Sequence, residues 1–266
     1  MDPENLQFFS TARYDPELRN VPSLGLDHAA WNFRNSSPFY LLDYHRDRIL
    51  DAARHWNWER AIAQLEGQQG LDRLSQGLAE LVGSETHPLR LRIVIDREGL
   101  LGLEKFEFPA VPITGLFPRR LPRPDSTPLA DEPPKSSPYT LVLDTEDTSS
   151  SQYTHFKTTN RAMYNVARDR AGISPKDRKE VLTVEDGFVV EGSITTPYFW
   201  RGNRWVTPPV ASVRGGQDGV SRRWALENNL AVEEKVPINT LVDGEECWIS
   251  NGARGFMFAL LRLDSP

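Results

Sequence analysis

Apolar residues recur at helical spacing in two early stretches of the chain. Leu42, His45, Ile49, Ala52, Ala53 and Trp56 mark an amphipathic helix within residues 39–56, entered through a short strand. Leu71, Leu74, Leu78 and Leu81 mark another, stopped near Gly83. Strict alternation takes over elsewhere. Residues 7–14 read as a strand ended by Asp15-Pro16, and the punctuated stretch 18–38 reads as loop. Leu89–Ile95, the turn at Asp96-Arg97-Glu98-Gly99 and residues 100–108 read as a hairpin. From residue 139 strands dominate: 139–143, then a meander of 180–184, 188–190, 193–200 and 205–207. A helix is expected at 220–229, and strands at 232–236, 246–250 and 256–261.

Seven of the twenty prolines fall between Pro118 and Pro138. Each removes a backbone donor, so no packed element is expected there. The pattern predicts an N-terminal α/β domain over 1–117, a linker over 118–138 and a strand-rich C-terminal domain over 139–266.

Composition narrows the function classes. A chain of 266 residues with 39% hydrophobic and 26% charged residues is an ordinary globular sequence. The net charge of −6 argues against a general nucleic-acid or anionic-membrane binder. No apolar run is long enough to span a bilayer. The start Met1-Asp2-Pro3-Glu4-Asn5 lacks a secretory pattern, and a single cysteine, Cys247, excludes an intrachain disulfide framework. A cytoplasmic protein is the expectation. The five histidines show no metal-ligand spacing, so no metal is expected.

Four features could carry chemistry. Lys157 follows the short aromatic run in Thr154-His155-Phe156, and a helical pattern begins after it at Met163, Val166 and Ala167. An amine on such a junction among apolar residues can be held uncharged and nucleophilic; a solvated lysine at a helix start is the plainer reading. The Gly215-Gly216-Gln217-Asp218-Gly219 run enters the 220s helix, so the amides of Val220 and Ser221 could take an anion. Equally, Asp218 or Ser221 could simply cap it. Glu191 ends an apolar strand and needs a partner, either a protonated ring nitrogen or an arginine. The small residues of Asn251-Gly252-Ala253 permit a close ligand approach, or a tight turn.

In this order, these residues resemble the class IV aminotransferases, the fold-type IV pyridoxal-phosphate enzymes, which include transaminases and aminodeoxychorismate lyase. Lys157 matches the Schiff-base lysine, and Glu191, in Glu-Gly-Ser-Ile-Thr-Thr, the partner of the pyridine nitrogen. Arg48, in His45-Arg46-Asp47-Arg48-Ile49, matches the phosphate-binding arginine. Gly219-Val220-Ser221-Arg222 matches the Gly-Ile-Thr-Arg helix start, and Gly252-Ala253 the last phosphate loop. Lys157-Thr-Thr-Asn160-Arg161, Phe9-Ser10-Thr11-Ala12-Arg13 and Asn251-Gly252 are closer to the lyase than to the transaminases. Two positions depart. Thr196-Pro197 stands where the family has asparagine, and the lyases' arginine-bearing glycine loop has no match near 96–101.

The resemblance implies a two-domain α+β fold with pyridoxal 5'-phosphate as cofactor, in a homodimer. It implies a lyase releasing pyruvate and 4-aminobenzoate, a folate precursor, from 4-amino-4-deoxychorismate. Arg13 and Arg161 are the candidate cations for that dicarboxylate. A transaminase of unknown amino donor, or a non-catalytic binding protein, are the alternatives.

Overall fold

A computed structural model describes residues 5–210 and 215–263; the first four residues, read above for a secretory pattern, lie outside them. The fold is α+β, and the chain divides into two compact units. The first holds residues up to 113 together with Phe156–Asn160, and the second the remainder.

Unit one is built on a three-stranded antiparallel sheet, β1 (Phe8–Tyr14), β2 (Leu89–Ile95) and β3 (Leu101–Glu107), in that order. The β2–β3 turn requires Gly99: its φ is +78°, and a Cβ there would lie 2.7 Å from the Arg60 carbonyl oxygen. The stretch 18–38, expected as loop, takes in the end of a 3-10 turn at Pro16–Asn20, another at Asp27–Ala29 and a short helix α1 (Trp31–Asn35). Its order comes from Asn32, which is fully buried. Asn32 donates to the carbonyls of Ser37 (3.0 Å) and Phe39 (2.9 Å) and accepts from the amide of Leu41 (2.9 Å). That grip holds Leu41 at φ +49° where helix α2 (Leu42–His55) begins.

Helix α2 buries Leu42, His45, Ile49, Ala52 and Ala53, as its spacing predicts. Helix α3 (Glu59–Leu65) was not expected: only Ala61 and Leu65 are buried, too few to show a period. Helix α4 (Gly67–Val82) buries Leu71, Leu74 and Leu78 and ends at Gly83.

The chain leaves unit one through α5 (Ile113–Leu116). The proline-dense stretch has no regular element, yet it is fastened to unit two. Trp205 Nε1 donates to the Leu121 carbonyl (3.1 Å), and Lys135 is paired with Glu246.

Unit two carries a nine-stranded mixed sheet. Its strands are β4 (Tyr139–Asp147), β5 (Lys179–Glu185), β6 (Phe188–Gly192), β7 (Thr196–Arg201), β8 (Arg204–Thr207), β9 (Val232–Glu233), β10 (Val236–Pro237), β11 (Glu246–Asn251) and β12 (Gly255–Leu261). Their order is β10-β6-β5-β4-β12-β11-β7-β8-β9. A flat sheet of this size would set its edge strands about 38 Å apart, at ~4.8 Å per step. Yet β9 and β10 are joined by only Glu234 and Lys235, a span of at most about 11 Å. The sheet must therefore curl until its edges nearly meet. One face fills the interior with Leu141, Leu182, Phe199, Val206, Cys247, Ile249, Ala259 and Leu261. On the other, Trp248 packs at a tilt near Phe258, and helix α8 (Val220–Glu227) lays Trp224 against Phe256.

Two expectations change here. The single strand expected at 232–236 is two strands on opposite edges. The meander expected from 180 to 207 is broken, because β6 pairs with β5 and β10 while β7 pairs with β11 and β8. The break is the turn at 193–195, where the Gly192 amide bonds to the Thr195 carbonyl (2.8 Å). Period-2 alternation gives a strand's faces and says nothing about its partners. Helices α6 (Gln152–His155) and α7 (Ala162–Arg170) flank the lysine segment in sequence.

Candidate active site

In unit one the chemistry is mounted on β1. The segment 156–160 returns to the strand's free edge: Thr158 bridges Phe8, and the Phe9 amide donates to the Lys157 carbonyl (3.0 Å). Phe156 is anchored between the rings of His55 (4.6 Å) and Trp56 (5.1 Å). Lys157 is thus half-buried, its Nζ 5.0 Å from the centroid of the Phe9 ring. The aromatic face attracts the ammonium while the ring excludes water from one side of it. The next strand residue, Ser10, serves Arg48 on α2. Arg48 Nη2 donates to Ser10 Oγ, which also lies 2.6 Å from His45 Nδ1. Consecutive residues of β1 therefore fix the candidate lysine and the candidate phosphate arginine.

Arg13 has a different occupation from the one expected. Its guanidinium is fully buried, pairs with Asp15 through Nε (2.9 Å) and Nη2 (2.7 Å), and donates to the Pro109 carbonyl (3.0 Å). Burial lowers its pKa, and Asp15 opposes that shift. Asp15 directly follows β1 and caps the 3-10 turn after it, two positions beyond Arg13, which puts its carboxylate within reach of the guanidinium.

In unit two the carboxylate of Glu191, 7% exposed, is held from both sides. Tyr164 Oη donates to Oε1 (2.5 Å), and the Gln217 amide to Oε2 (3.0 Å). A phenol and an amide are thus two of its partners. Burial, and then Glu191 itself, push the Tyr164 phenol well above its ordinary range, so it stays a donor. Arg161 lies 4.8 Å over the Tyr164 ring and donates to the Ser193 carbonyl (2.8 Å). Burial lowers its pKa, against the raising fields of Tyr164, Glu191 and Glu180.

Glu180 and Tyr164 are site-forming residues that the sequence pattern did not single out. Glu180, almost fully buried, accepts from the Ser193 hydroxyl (2.6 Å), the Thr195 hydroxyl (2.9 Å) and the amides of Val181 (3.0 Å) and Ile194 (3.2 Å). Arg168 lies 3.6 Å away. This carboxylate shapes the turn that follows Glu191. A glutamate on an alternating strand carries no sign of that role.

Helix α8 begins at Gly219 with no side-chain cap; Asp218 is paired with Arg222 instead (3.4 Å). Without a capping side chain, the first amides, among them those of Val220 and Ser221, suit an oxyanion. Ser221 is fully buried and meets Ser250 (2.8 Å). In the β11–β12 loop, Asn251 Oδ1 accepts from the amides of Ala253 (3.1 Å) and Arg254 (2.8 Å). The Ala253 amide, expected at a phosphate, here closes its own turn, and Gly252 sits at the tip of that turn.

Comparison with known proteins follows the same lines. The family model described as amino-transferase class IV matches residues 30–260. A Schizosaccharomyces pombe protein named "Putative aminodeoxychorismate lyase" is 31% identical over 126 residues, 45% of this chain and 54% of that protein. The chain thus spans about half the length of this curated relative. The structure of 4-amino-4-deoxychorismate lyase from Pseudomonas aeruginosa matches with a TM-score of 0.63 at 18% identity, over 97% of this chain and 83% of that one. Branched-chain amino acid aminotransferase from Escherichia coli matches at 0.60 and 12% identity, over 97% and 77%. At these identities the structures speak to the fold, which is the fold type IV of aminotransferases and lyases.

Proposed function

We propose, from the premise that this chain belongs to the class IV amino-transferase family, that it is a pyridoxal-phosphate-dependent lyase. Its substrate is 4-amino-4-deoxychorismate, which loses its enolpyruvyl side chain as pyruvate and leaves the aromatic 4-aminobenzoate. The observation that carries the reading is Glu191: a nearly buried carboxylate held by Tyr164 and Gln217, the kind of group that keeps a cationic ring N–H protonated. The donor set fits the group as well, since an arginine and an uncapped helix start suit a phosphate dianion.

When bound, pyridoxal phosphate supplies the electron sink. The chain's residues do the rest. Arg48, Val220, Ser221 and Gly252 hold the phosphate. Glu191 keeps a proton on the ring nitrogen. The Lys157 amine binds the cofactor and moves a proton at the substrate's α-carbon. Arg161 takes a substrate carboxylate; Arg13 is left out, because its guanidinium already serves Asp15. The curated relative's name and the small residues of Asn251-Gly252 favour the lyase over a transaminase. The product is a folate precursor, and the setting is a cytoplasmic homodimer.

The test is an absorption spectrum of the purified protein with added pyridoxal phosphate, beside Lys157→Ala. A visible band that the variant lacks is expected, followed by pyruvate release from aminodeoxychorismate. Amino transfer to a keto acid without pyruvate release would move the protein to the transaminases. No band and no cofactor binding by the wild type would leave a binding protein.

A further inference from the structure

Three hydroxyls on three elements of unit two form one chain. Tyr198 on β7 meets Ser250 on β11 (2.9 Å), and Ser250 meets Ser221 on α8 (2.8 Å). All three side chains are fully buried, and among the described residues these hydroxyls make no other hydrogen bond. The neighbourhood is built tightly. Ser250 stands opposite Thr196 in the sheet, and a Cβ on Gly219 would lie 3.2 Å from Thr196 Oγ1.

Three hydroxyls carry three protons, and two contacts use only two of them. The spare proton must sit somewhere. Left on Tyr198 or Ser250, it would be a buried donor within the sheet's own packing, where an unmade hydrogen bond is costly. Left on Ser221, it lies in the first turn of α8, beside amides that already suit an anion. The phenol is also the strongest donor of the three, and burial keeps it protonated.

We infer that Tyr198 and Ser250 are positioning residues that donate along the chain and leave the Ser221 proton for an oxygen of the phosphate at the start of α8. This rests on the cofactor reading above. It adds that recognition of the phosphate reaches two side chains into the protein, to groups that never touch the ligand.

Equilibrium binding of pyridoxal phosphate and of pyridoxal, which lacks the phosphate, tests it on wild type, Tyr198→Phe, Ser250→Ala, Ser221→Ala and Tyr198→Phe/Ser221→Ala. Tyr198→Phe should raise the Kd for pyridoxal phosphate roughly three- to tenfold, the worth of one hydrogen bond, and leave pyridoxal unchanged. Ser250→Ala should act in the same direction. The double variant should bind no worse than Ser221→Ala alone, because Tyr198 acts only through Ser221. Equal weakening of both ligands, no weakening, or full additivity would overturn the relay while leaving the cofactor reading intact. A wild type with no preference for the phosphorylated ligand would overturn both. Thermal melts of the ligand-free variants identify any that fails to fold, and Ser250→Ala then stands in for Tyr198→Phe.

Discussion

The two units solve one problem in different ways. In unit one the candidate chemistry is referred to regular elements. Arg48 stands on α2 and Lys157 in the turn segment 156–160, both tied to β1 through Ser10 and Phe9, and the approach to α2 is fixed by one neutral side chain, Asn32. In unit two the candidate groups sit at strand ends and loop tips, held by polar side chains: buried Glu180 under the 193–195 turn, half-buried Asn251 in its own loop, buried Ser250 behind α8. A regular element inherits its placement from backbone periodicity. A loop must be specified by individual hydrogen bonds, so unit two should be the more fragile to single polar substitutions.

The largest effect expected from that contrast is at Glu180. Glu180→Ala would strand two hydroxyls and two amides and remove the carboxylate facing Arg168, at ~3–5 kcal/mol. The melting temperature should fall on the order of 10 °C. Glu180→Gln, which keeps shape and part of the acceptor set, should cost about 1–3 kcal/mol. Chemical denaturation measures both. If Glu180→Ala cost less than Glu180→Gln, the carboxylate would not be what shapes the turn.

The counterpart in unit one is Asn32→Ala, which leaves the Leu41 amide and the carbonyls of Ser37 and Phe39 without their side-chain partner. About 2–3 kcal/mol is expected, below Glu180→Ala because no charge is uncovered. Amide exchange should localise the loosening to the start of α2. A loss equal to that at Glu180 would remove the distinction drawn between the units.

How far the sequence showed this depends on the same contrast. Periodicity reveals which face of an element is buried, so α2, α4 and the β2–β3 hairpin were legible. It is silent on partners. The pairings of β12 with β4, β6 with β10 and β7 with β11, and the return of 156–160 to β1, all join residues far apart in sequence. Of the candidate site, Lys157 and Glu191 stand out in the sequence as charged residues where apolar patterns begin or end, whereas Arg48, inside the α2 pattern, comes only from the family resemblance. Tyr164 and Ser250 do not stand out, since a buried phenol or hydroxyl reads as ordinary core until its acceptor is known. Arg13 stands in the sequence as a cation, and its pairing with Asp15 across the end of β1 carries no periodic signal.

Alkaline pH offers a further separation. The Tyr164 and Tyr198 phenols and the Cys247 thiol are all raised, burial being the first cause in each, and all three lie in unit two. A raised folded-state pKa means the native protein keeps a proton that the unfolded chain releases. Stability from these groups is complete below their unfolded values, near pH 9 for the thiol and pH 10 for the phenols, and declines as pH rises beyond them. Unit two should therefore lose amide protection first on titration above about pH 9–10. Tyr164→Phe should flatten part of that decline. Earlier loss in β1–β3 would count against it.

The smallest effect is expected where a charge pair lies in water. Arg204 and Glu234 meet at 2.8 Å on unit two, but their side chains are 59% and 44% exposed. Solvent and salt screen such a pair, and ordering two long side chains offsets what remains. Arg204→Ala should change stability by no more than ~0.5 kcal/mol, with no salt dependence beyond the wild type's. Glu180 and Glu234 both face an arginine in the same unit, and what separates them is burial and the hydroxyl and amide donors that Glu180 also satisfies. A loss at Arg204 approaching that at Glu180 would mean that charge pairing, rather than the satisfaction of buried donors, is what holds unit two's loops in place.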